Sequence, residues 1–167
     1  MPKLDETRPF LAVQIGVMTV SDTRTLADDK SGQTLVDLIA RDGHTVVDRI
    51  IVKDDAVAIA AQLEAWISRD DIDVVIATGG TGVTGRDVTP EAFEQVYEKK
   101  IDGFGELFRS LSYAEIGSAA MLSRAVGGIA RGRLVFCLPG SPDAVRLALE
   151  KLILPELGHL VAELRKG

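Results

Sequence analysis

The stretch VVIATGGTG, residues 74–82, decides the fold. Its first four residues are apolar and mostly β-branched, which is typical of a short strand covered on both faces of a sheet. Residues 78–82 then contain three glycines and two threonines. In open parallel sheets, ligands bind just beyond the carboxyl ends of the strands. The stretch therefore predicts a parallel sheet and a ligand-binding turn at its edge.

Outward from this stretch, apolar runs of strand length alternate with segments of helical period. The expected strands cover residues 10–20, 46–52, 73–78 and 133–138. The expected helices cover residues 31–42, a segment beginning at Asp54 or Asp55, residues 89–99, and a segment beginning at Pro142 that is kinked or broken at Pro155. This alternation predicts an α/β fold, a three-layer α/β/α domain with a mostly parallel central sheet.

Residues 102–132 carry a weaker pattern because glycines interrupt it. We expect one or two helices there, with irregular structure or a hairpin as the alternatives. By contrast, the helix after Asp55 has a regular apolar stripe. The stripe consists of Ile59, Leu63, Trp66 and Ile67. Trp66 is therefore expected in the core.

The composition is that of one globular domain. The chain has 167 residues, 46% hydrophobic and 26% charged, and we expect a single domain at residues 9–167 behind a flexible tail at residues 1–8. Nineteen lysines and arginines against 25 aspartates and glutamates give a net charge of −6, which argues against nucleic acid or an anionic membrane as a partner. No apolar run is long enough to cross a bilayer, and residues 1–9 lack a secretion-signal pattern, so a cytoplasmic location is expected.

The sequence has few residues that could carry out thiol chemistry or bind zinc. The single cysteine, Cys137, lies inside an apolar strand, where we expect a buried, unreactive side chain. The two histidines, His44 and His159, are far apart and neither follows a strand, so we expect structural or surface roles for both. A bound metal would then be a hard cation held by oxygen ligands.

Carboxylates and small residues follow the predicted strands. These segments are residues 19–22, 52–55, 78–82 and 138–142. If the strands are parallel, Asp22 and Asp54 share an edge with the glycine turn, and Asp87 follows close behind; such an edge suits a phosphorylated ligand with a divalent cation. Arg86 would compensate phosphate charge. The alternatives are turn or cap roles for the acids and a solvated ion pair between Arg86 and Asp87.

The glycine turn has three possible interpretations. It is an anion site if its backbone amides face a ligand, and it is otherwise simply a tight turn. Gly80, Gly82 and Gly85 also match the dinucleotide-binding pattern G-x-G-x-x-G. That motif opens a helix after the first strand, whereas this loop follows the third strand and the next helix starts only at Thr89. A nicotinamide-dependent oxidoreductase is therefore disfavoured.

Six short segments occur in a fixed order along the chain. They are residues 19–22 (TVSD), 78–82 (TGGTG), 86–92 (RDVTPEA), 103–106 (GFGE), 122–124 (LSR) and 138–142 (LPGSP). Together they resemble the MoaB/MogA molybdopterin-binding family of molybdenum cofactor biosynthesis, over residues 10–158. The resemblance implies a molybdopterin-binding-like fold and a Mg²⁺-dependent adenylyltransferase. This enzyme would transfer AMP from ATP to the terminal phosphate of molybdopterin and release pyrophosphate.

The resemblance also implies site residues and an assembly. Asp54 and Asp87 match acids that the family associates with catalysis through Mg²⁺. The implied substrate- and nucleotide-binding residues are Ser21, Asp22, Thr78, Gly79, Gly80, Thr81, Gly82, Arg86, Ser123, Arg124, Pro139, Gly140 and Ser141. Because the family usually forms trimers, or hexamers built from them, a homotrimer or homohexamer is expected.

One alternative within the same family is a non-catalytic, oligomeric molybdopterin-binding or carrier protein. Some relatives of the MoaB type lack the acid that Asp87 matches. For those relatives, adenylylating activity is correspondingly doubtful. This chain keeps both Asp87 and Asp54. The sequence therefore favours the enzyme over the carrier.

Overall fold

The computed structural model describes residues 9–167; the expected tail at residues 1–8 lies outside the described residues. The strands are β1 (Gln14–Val20), β2 (Thr45–Val52), β3 (Val74–Thr78), β4 (Lys99–Lys100), β5 (Val126–Ala130) and β6 (Arg133–Leu138). The helices are α1 (Lys30–Arg41), α2 (Ala56–Ile67), α3 (Thr89–Glu94), α4 (Asp102–Ile116), α5 (Pro142–Ala148) and α6 (Leu154–Lys166). A 3₁₀ segment, Gly117–Leu122, follows α4, and a π-helical segment, Leu149–Ile153, joins α5 to α6.

The strands form one six-stranded sheet in the order β2-β1-β3-β6-β5-β4. Neighbours among β1, β2, β3 and β6 are parallel, whereas β5 runs antiparallel to β6 and β4 antiparallel to β5. Thr78 at the end of β3 is level with Thr19 of β1 and with Leu138 of β6. The segments that follow these strands consequently meet at one edge, as predicted.

Each face of the sheet carries its own hydrophobic core, which confirms the three-layer α/β/α prediction. On one face α1, α4, α5 and α6 pack through side chains such as Leu35 and Phe108. On the other face α2 and α3 pack through Trp66 and Phe93. Trp66 lies so close to β1 that a Cβ atom on Gly16 would come within 2.7 Å of its ring. The predicted core position of Trp66 is thus confirmed, and Gly16 provides the space for it.

Polar caps fix where the helices begin, close to the carboxyl edge of the sheet. The side chain of Asp29 accepts from the N–H of the third helical residue of α1, and Asp55 and Ser141 do the same for α2 and α5. At the other end of α1, Gly43 adopts a positive φ of 86° and ends the helix. The caps Asp55 and Ser141 and the stop at Gly43 confirm the predictions, whereas the cap at Asp29 was not predicted.

The prediction that the third helix continues to about Lys99 is wrong. α3 ends at Glu94, because the chain turns there and joins the sheet as β4. The N–H of Glu98 donates to Ile129 O and the N–H of Ile101 donates to Gly127 O, both at 2.8 Å. Pairing with β5 therefore overrides the local helical preference of this segment.

Within residues 102–132, the hairpin alternative is the correct one for the second half. β5 and β6 form an antiparallel hairpin whose turn residues, Arg131 and Gly132, both have positive φ angles of 49° and 76°. The first half is one continuous helix, α4, which Gly103 and Gly105 do not break. The first strand also begins later than expected, at Gln14.

Two further expectations are met. The predicted break near Pro155 takes the form of the π-helical segment, because proline has no N–H to donate and its ring crowds the carbonyl four residues earlier. Cys137 is fully buried, and burial raises the pKa of its thiol to about 12. In the described part of the chain, no helix is both long and apolar enough to span a bilayer.

Candidate functional site

Asp22, Asp54, Arg86 and Asp87 lie together at the carboxyl end of the sheet. Asp22 follows β1, and its Oδ1 accepts a hydrogen bond of 2.9 Å from the N–H of Asp54, which follows β2. Arg86 reaches back from the loop between β3 and α3, and its Nη1 lies 3.3 Å from Asp22 Oδ2. The charge of Asp87, from the same loop, also acts on Asp54. Three loops thus bring three carboxylates and one arginine together.

The Asp54 carboxylate is only weakly compensated by positive charge. Burial raises the pKa of Asp54 above its ordinary value, and the negative charges of Asp22 and Asp87 raise it further. The backbone N–H of Asp22 and the charge of Arg86 act in the opposite direction. Within residues 9–167, Asp54 takes part in no ion pair. Such a carboxylate, next to two others, attracts a cation.

The donor set at this cluster fits Mg²⁺ better than any softer metal. Mg²⁺ usually takes one or two protein carboxylates and completes its coordination with substrate phosphates and water. Across residues 9–167, no three acidic, histidine or cysteine side chains are arranged to hold an ion by themselves. Asp54 and Asp87 are the carboxylates at this edge that could hold a cation whose remaining ligands come from a phosphorylated substrate and water.

Gly79 and Gly80 form a turn that requires glycine. Their φ angles are 102° and 72°, and a Cβ atom on Gly79 would collide with the carbonyl oxygen of Val20. The buried Thr89 fixes this turn: its N–H donates to Gly80 O at 3.1 Å and its Oγ1 donates to Gly79 O at 2.8 Å. The N–H of Gly79 donates to Leu138 O at 2.9 Å. The turn is therefore tied to both β6 and α3.

The loop that carries Asp87 closes around its carboxylate. Asp87 Oδ2 accepts hydrogen bonds from the N–H and the Oγ1 of Thr84, at 2.9 and 2.7 Å. Gly82 leaves room for the same oxygen, since a Cβ atom there would come within 2.7 Å of it. The carboxylate is thus oriented by its own loop.

A cavity of about 190 Å³ lies beside the glycine turn, between the start of α1 and the start of α5. Gly79, Ser21 and Gly140 line it, together with two cationic residues, Arg24 and Lys30, and one buried acid, Asp29, which is paired with Arg49. Positive side chains next to a backbone turn favour an anionic group such as a phosphate.

A larger cavity, of about 480 Å³, lies between α3, the 3₁₀ segment and β5. Its lining residues include Lys100, Arg109 and Ser123, together with two acids, Glu91 and Glu94. The Oγ of Ser123 is buried and makes no hydrogen bond with any of residues 9–167. A buried hydroxyl of this kind in a cavity wall is a group that a ligand can satisfy.

The turn at residues 139–141 forms part of the wall of the first cavity through Gly140. Pro139 O accepts a hydrogen bond of 2.8 Å from Thr78 Oγ1, and Gly140 packs against Gly79. Ser141 caps α5 through its Oγ. These predicted residues therefore lie at the edge, but their polar groups are largely engaged with the protein itself.

Thr81 and Arg124 also contact the protein more than they face open space. Thr81 is buried, and its carbonyl accepts from the N–H of Arg124 at 3.0 Å. Arg124 lines the larger cavity, yet its guanidinium donates to Gly82 O, Asp87 O and Glu91 Oε1. The structure thus brings the predicted site residues to one edge, where some line a cavity or belong to the acidic cluster. The others, Gly80, Thr81, Gly82, Pro139 and Ser141, line neither cavity.

The sequence did not indicate four residues that build this site. They are Arg24, Lys30, Thr89 and Arg109. Thr89 was recognisable as a helix start, but not as the residue that pins the glycine turn. The two arginines and the lysine carry no local pattern, because their positions depend on contacts between distant segments.

Comparisons with known proteins identify the family of this chain. The model of the probable molybdopterin binding domain family matches residues 16–159. A protein of Bacillus anthracis named molybdenum cofactor biosynthesis protein B is 55% identical over 155 residues, 92% of each chain. A crystal structure of a molybdenum cofactor biosynthesis protein B is 52% identical, with a TM-score of 0.93, and covers 96% of this chain and 100% of that one. The tungsten cofactor synthesizing protein MoaB from Pyrococcus furiosus is 39% identical, with a TM-score of 0.82, over 92% and 98% of the two chains.

Proposed function

The chain belongs to the molybdopterin-binding domain family, and from that premise we propose that it acts in molybdenum cofactor biosynthesis as a molybdopterin adenylyltransferase. The terminal phosphate of molybdopterin attacks the α-phosphorus of ATP. A new phosphorus–oxygen bond forms while the bond from the α-phosphorus to the bridging oxygen breaks, and pyrophosphate leaves with that electron pair. The products are adenylylated molybdopterin and pyrophosphate, and we propose the cytoplasm as the location.

The observation that carries this proposal is that an under-compensated carboxylate cluster shares the carboxyl edge of the sheet with two cavities that contain cationic side chains. The cluster includes Asp54 and Asp87, and the cavities contain Lys30 and Lys100 respectively. Two phosphorylated substrates need two anion-binding spaces that meet at the reacting phosphorus. Transfer of an adenylyl group depends on positioning and on charge neutralisation more than on a reactive side chain.

Each part of the edge has a role in this scheme. Asp54 and Asp87 would hold Mg²⁺, which supplies positive charge to the phosphates of ATP when it is bound. Arg86, whose side chain is 81% exposed, would add positive charge where the phosphates of ATP enter. The rigid turn at Gly79 and Gly80 lets the substrate approach the backbone closely.

We also propose that several copies assemble through the surface formed by α4 and the 3₁₀ segment. Five of the large apolar side chains that are exposed in the described chain lie there: Leu107, Tyr113, Ile116, Met121 and Leu122. An exposed apolar surface of this kind marks an interface. Light scattering after gel filtration should give a trimer or hexamer for the wild type and smaller species for Ile116→Asp; a monomeric wild type would contradict the assembly.

The activity can be tested with purified protein under anaerobic conditions. The protein is incubated with molybdopterin, ATP and Mg²⁺, and adenylylated pterin and pyrophosphate are measured in parallel. We expect both products in equal amounts. Tight pterin binding with neither product, where a known adenylyltransferase works under the same conditions, would instead identify a carrier protein.

The Asp87→Ala variant separates the two roles within the same assay. If Asp87 acts in the reaction, the variant binds pterin as the wild type does but forms no adenylylated product. Unchanged turnover would refute the role of Asp87, and a loss of pterin binding would show that Asp87 serves binding instead.

A further inference from the structure

Arg124 contacts both ends of the loop that carries Asp87. Its N–H donates to Thr81 O at 3.0 Å and its Nε donates to Gly82 O at 2.8 Å. Its Nη2 donates to Asp87 O at 2.7 Å, and its Nη1 reaches Glu91 Oε1 of α3 at 2.6 Å. One side chain thus joins the start of the loop, its end and the helix that follows.

The loop has little else to hold it in place. Residues 83–86 are exposed, and the hydrogen bonds inside the loop run between Thr84 and Asp87. Those bonds set the shape of the loop but do not attach it to the rest of the molecule, and the ion pair of 3.3 Å between Arg86 and Asp22 joins the loop to the segment after β1 only through a side chain that is 81% exposed. The bonds from Arg124 do attach it, and hydrogen bonds from a guanidinium are stronger than neutral ones.

Arg124 is itself held from the opposite side by Arg109 of α4. Arg109 Nη1 donates to Ala125 O at 3.1 Å and to Ser123 O at 3.4 Å, the carbonyls on either side of Arg124 in the chain. Arg109 fits there because α4 has glycine at position 105; a Cβ atom on Gly105 would come within 2.7 Å of Arg109 Nη2. Arg109 therefore joins α4 to the segment that carries Arg124, and Arg124 joins that segment to the Asp87 loop.

We propose that Arg124 is a positioning residue that holds the Asp87 loop in its reactive geometry, with Arg109 holding Arg124 in turn. This inference rests on the proposed adenylyl transfer. It gives Arg124 a different role from the substrate contact that the family resemblance implies. The planar guanidinium suits this role because its three nitrogens donate to three separate acceptors, whereas the three N–H groups of a lysine are all on one nitrogen and cannot span the same acceptors.

The test compares Arg124→Lys with a matched control, Arg133→Lys. The half-buried Arg133 also donates to three backbone carbonyls, those of Ile72, Arg131 and Arg69, but at the opposite end of the sheet. Each variant is measured for kcat and KM of ATP, for its thermal midpoint, and for amide hydrogen exchange of residues 81–88.

We expect Arg124→Lys to lose about tenfold to hundredfold in kcat, the range that corresponds to one or two charge-assisted hydrogen bonds, with little change in the KM for ATP. Amide exchange of residues 81–88 becomes faster. Arg109→Lys shows the same changes more weakly. Arg133→Lys lowers the thermal midpoint but leaves kcat and the exchange of this loop unchanged.

Two results would overturn the inference: unchanged loop exchange in Arg124→Lys, or a raised KM with unchanged kcat, which would mean that Arg124 contacts substrate directly. The exchange measurement does not depend on turnover. If the wild type forms no adenylylated pterin, the proposed function fails, while faster exchange in Arg124→Lys still supports the hold on the loop and unchanged exchange still overturns it.

Discussion

Acidic residues at the amino end of the sheet are paired with arginines, whereas Asp54 at the carboxyl end forms no ion pair with any of residues 9–167. Near the start of β3, Arg69 lies 2.9 Å from Asp48 and 2.7 Å from Asp71, and Arg165 lies 3.0 Å from Asp73. The hydrogen bond from Arg69 lowers the pKa of Asp71 below its ordinary value. These charges are satisfied within the protein and help to hold β3 and α6 in place.

The carboxyl end shows the opposite arrangement. Burial and neighbouring acids raise the pKa of Asp54, and the nearby cation, Arg86, is mostly exposed. Two glycines with positive φ angles form the adjacent turn. Uncompensated charge and a turn that exposes the backbone lie together where a ligand would bind, which is typical of functional sites. The same residue types thus stabilise one end and prepare the other for binding.

The largest contrast should come from the same substitution made at each end. Asp87→Asn removes a charge that would hold Mg²⁺, so kcat should fall by about 10²- to 10³-fold, the usual cost of losing one electrostatic group at a reacting centre. Asp73→Asn should leave kcat unchanged. Steady-state kinetics on both variants checks this, and a comparable loss of kcat in the two would remove the distinction between the ends.

A second contrast concerns stability at the amino end. Asp73 is 16% exposed and accepts hydrogen bonds from the N–H of Gln14 and from Arg165 Nη2. Asp73→Asn should therefore lower the free energy of unfolding by about 1–2 kcal/mol, since one charge-assisted bond is lost. Urea denaturation measures the change. A fully stable variant would show that this ion pair contributes nothing.

The pH dependence of activity sharpens the comparison at the carboxyl end. The negative charge of Asp22 raises the pKa of Asp54, so Asp22→Asn should lower it and move the acid limb of the kcat/KM profile to lower pH. Arg86→Gln should move the same limb to higher pH, because the charge of Arg86 lowers this pKa. If both variants and the wild type have the same acid limb in the kcat/KM profile, Asp54 does not control that limb.

The smallest expected effect is at the amino end, where His44 is buried. Its Nδ1 accepts a hydrogen bond of 3.1 Å from the N–H of Val13, which requires a neutral ring, and burial lowers its pKa although Asp42 partly opposes this. The unfolded chain therefore binds a proton more readily, and stability should fall as the pH drops from about 7.5 to 5.5. His44→Gln should show a weaker fall in denaturation experiments; an equal fall would assign the effect elsewhere.

Much of the fold followed from local patterns, and the errors have identifiable causes. The strands β2, β3 and β6 and the caps Asp55 and Ser141 were predicted, because buried strands and helix starts have short-range signals. β5 was less visible, since Gly127 and Gly128 weaken a strand pattern. Both must be glycine: a Cβ atom would come within 2.8 Å of the Phe136 ring at the first and of Tyr97 at the second. Only the assembled sheet shows that requirement.

Part of the candidate site could likewise be predicted from local patterns, and part could not. Asp22, Asp54 and the glycine turn were predicted because a residue that follows a parallel strand lies at the carboxyl edge. Which of those groups face a cavity and which support the loops depends on long-range contacts. Arg124 is the clearest case, because its partners lie 33 to 42 residues away in the sequence. No local pattern distinguishes such an arginine from one that binds phosphate.

The central claim is that Asp54 is kept for chemistry at some cost to stability. Its most direct test is Asp54→Asn, measured both for its thermal midpoint and for adenylylated molybdopterin formed in the presence of ATP and Mg²⁺. Because burial and like charges disfavour the Asp54 carboxylate, the variant should have a higher thermal midpoint than the wild type and form no adenylylated product. A lower midpoint, or wild-type turnover, would contradict the account.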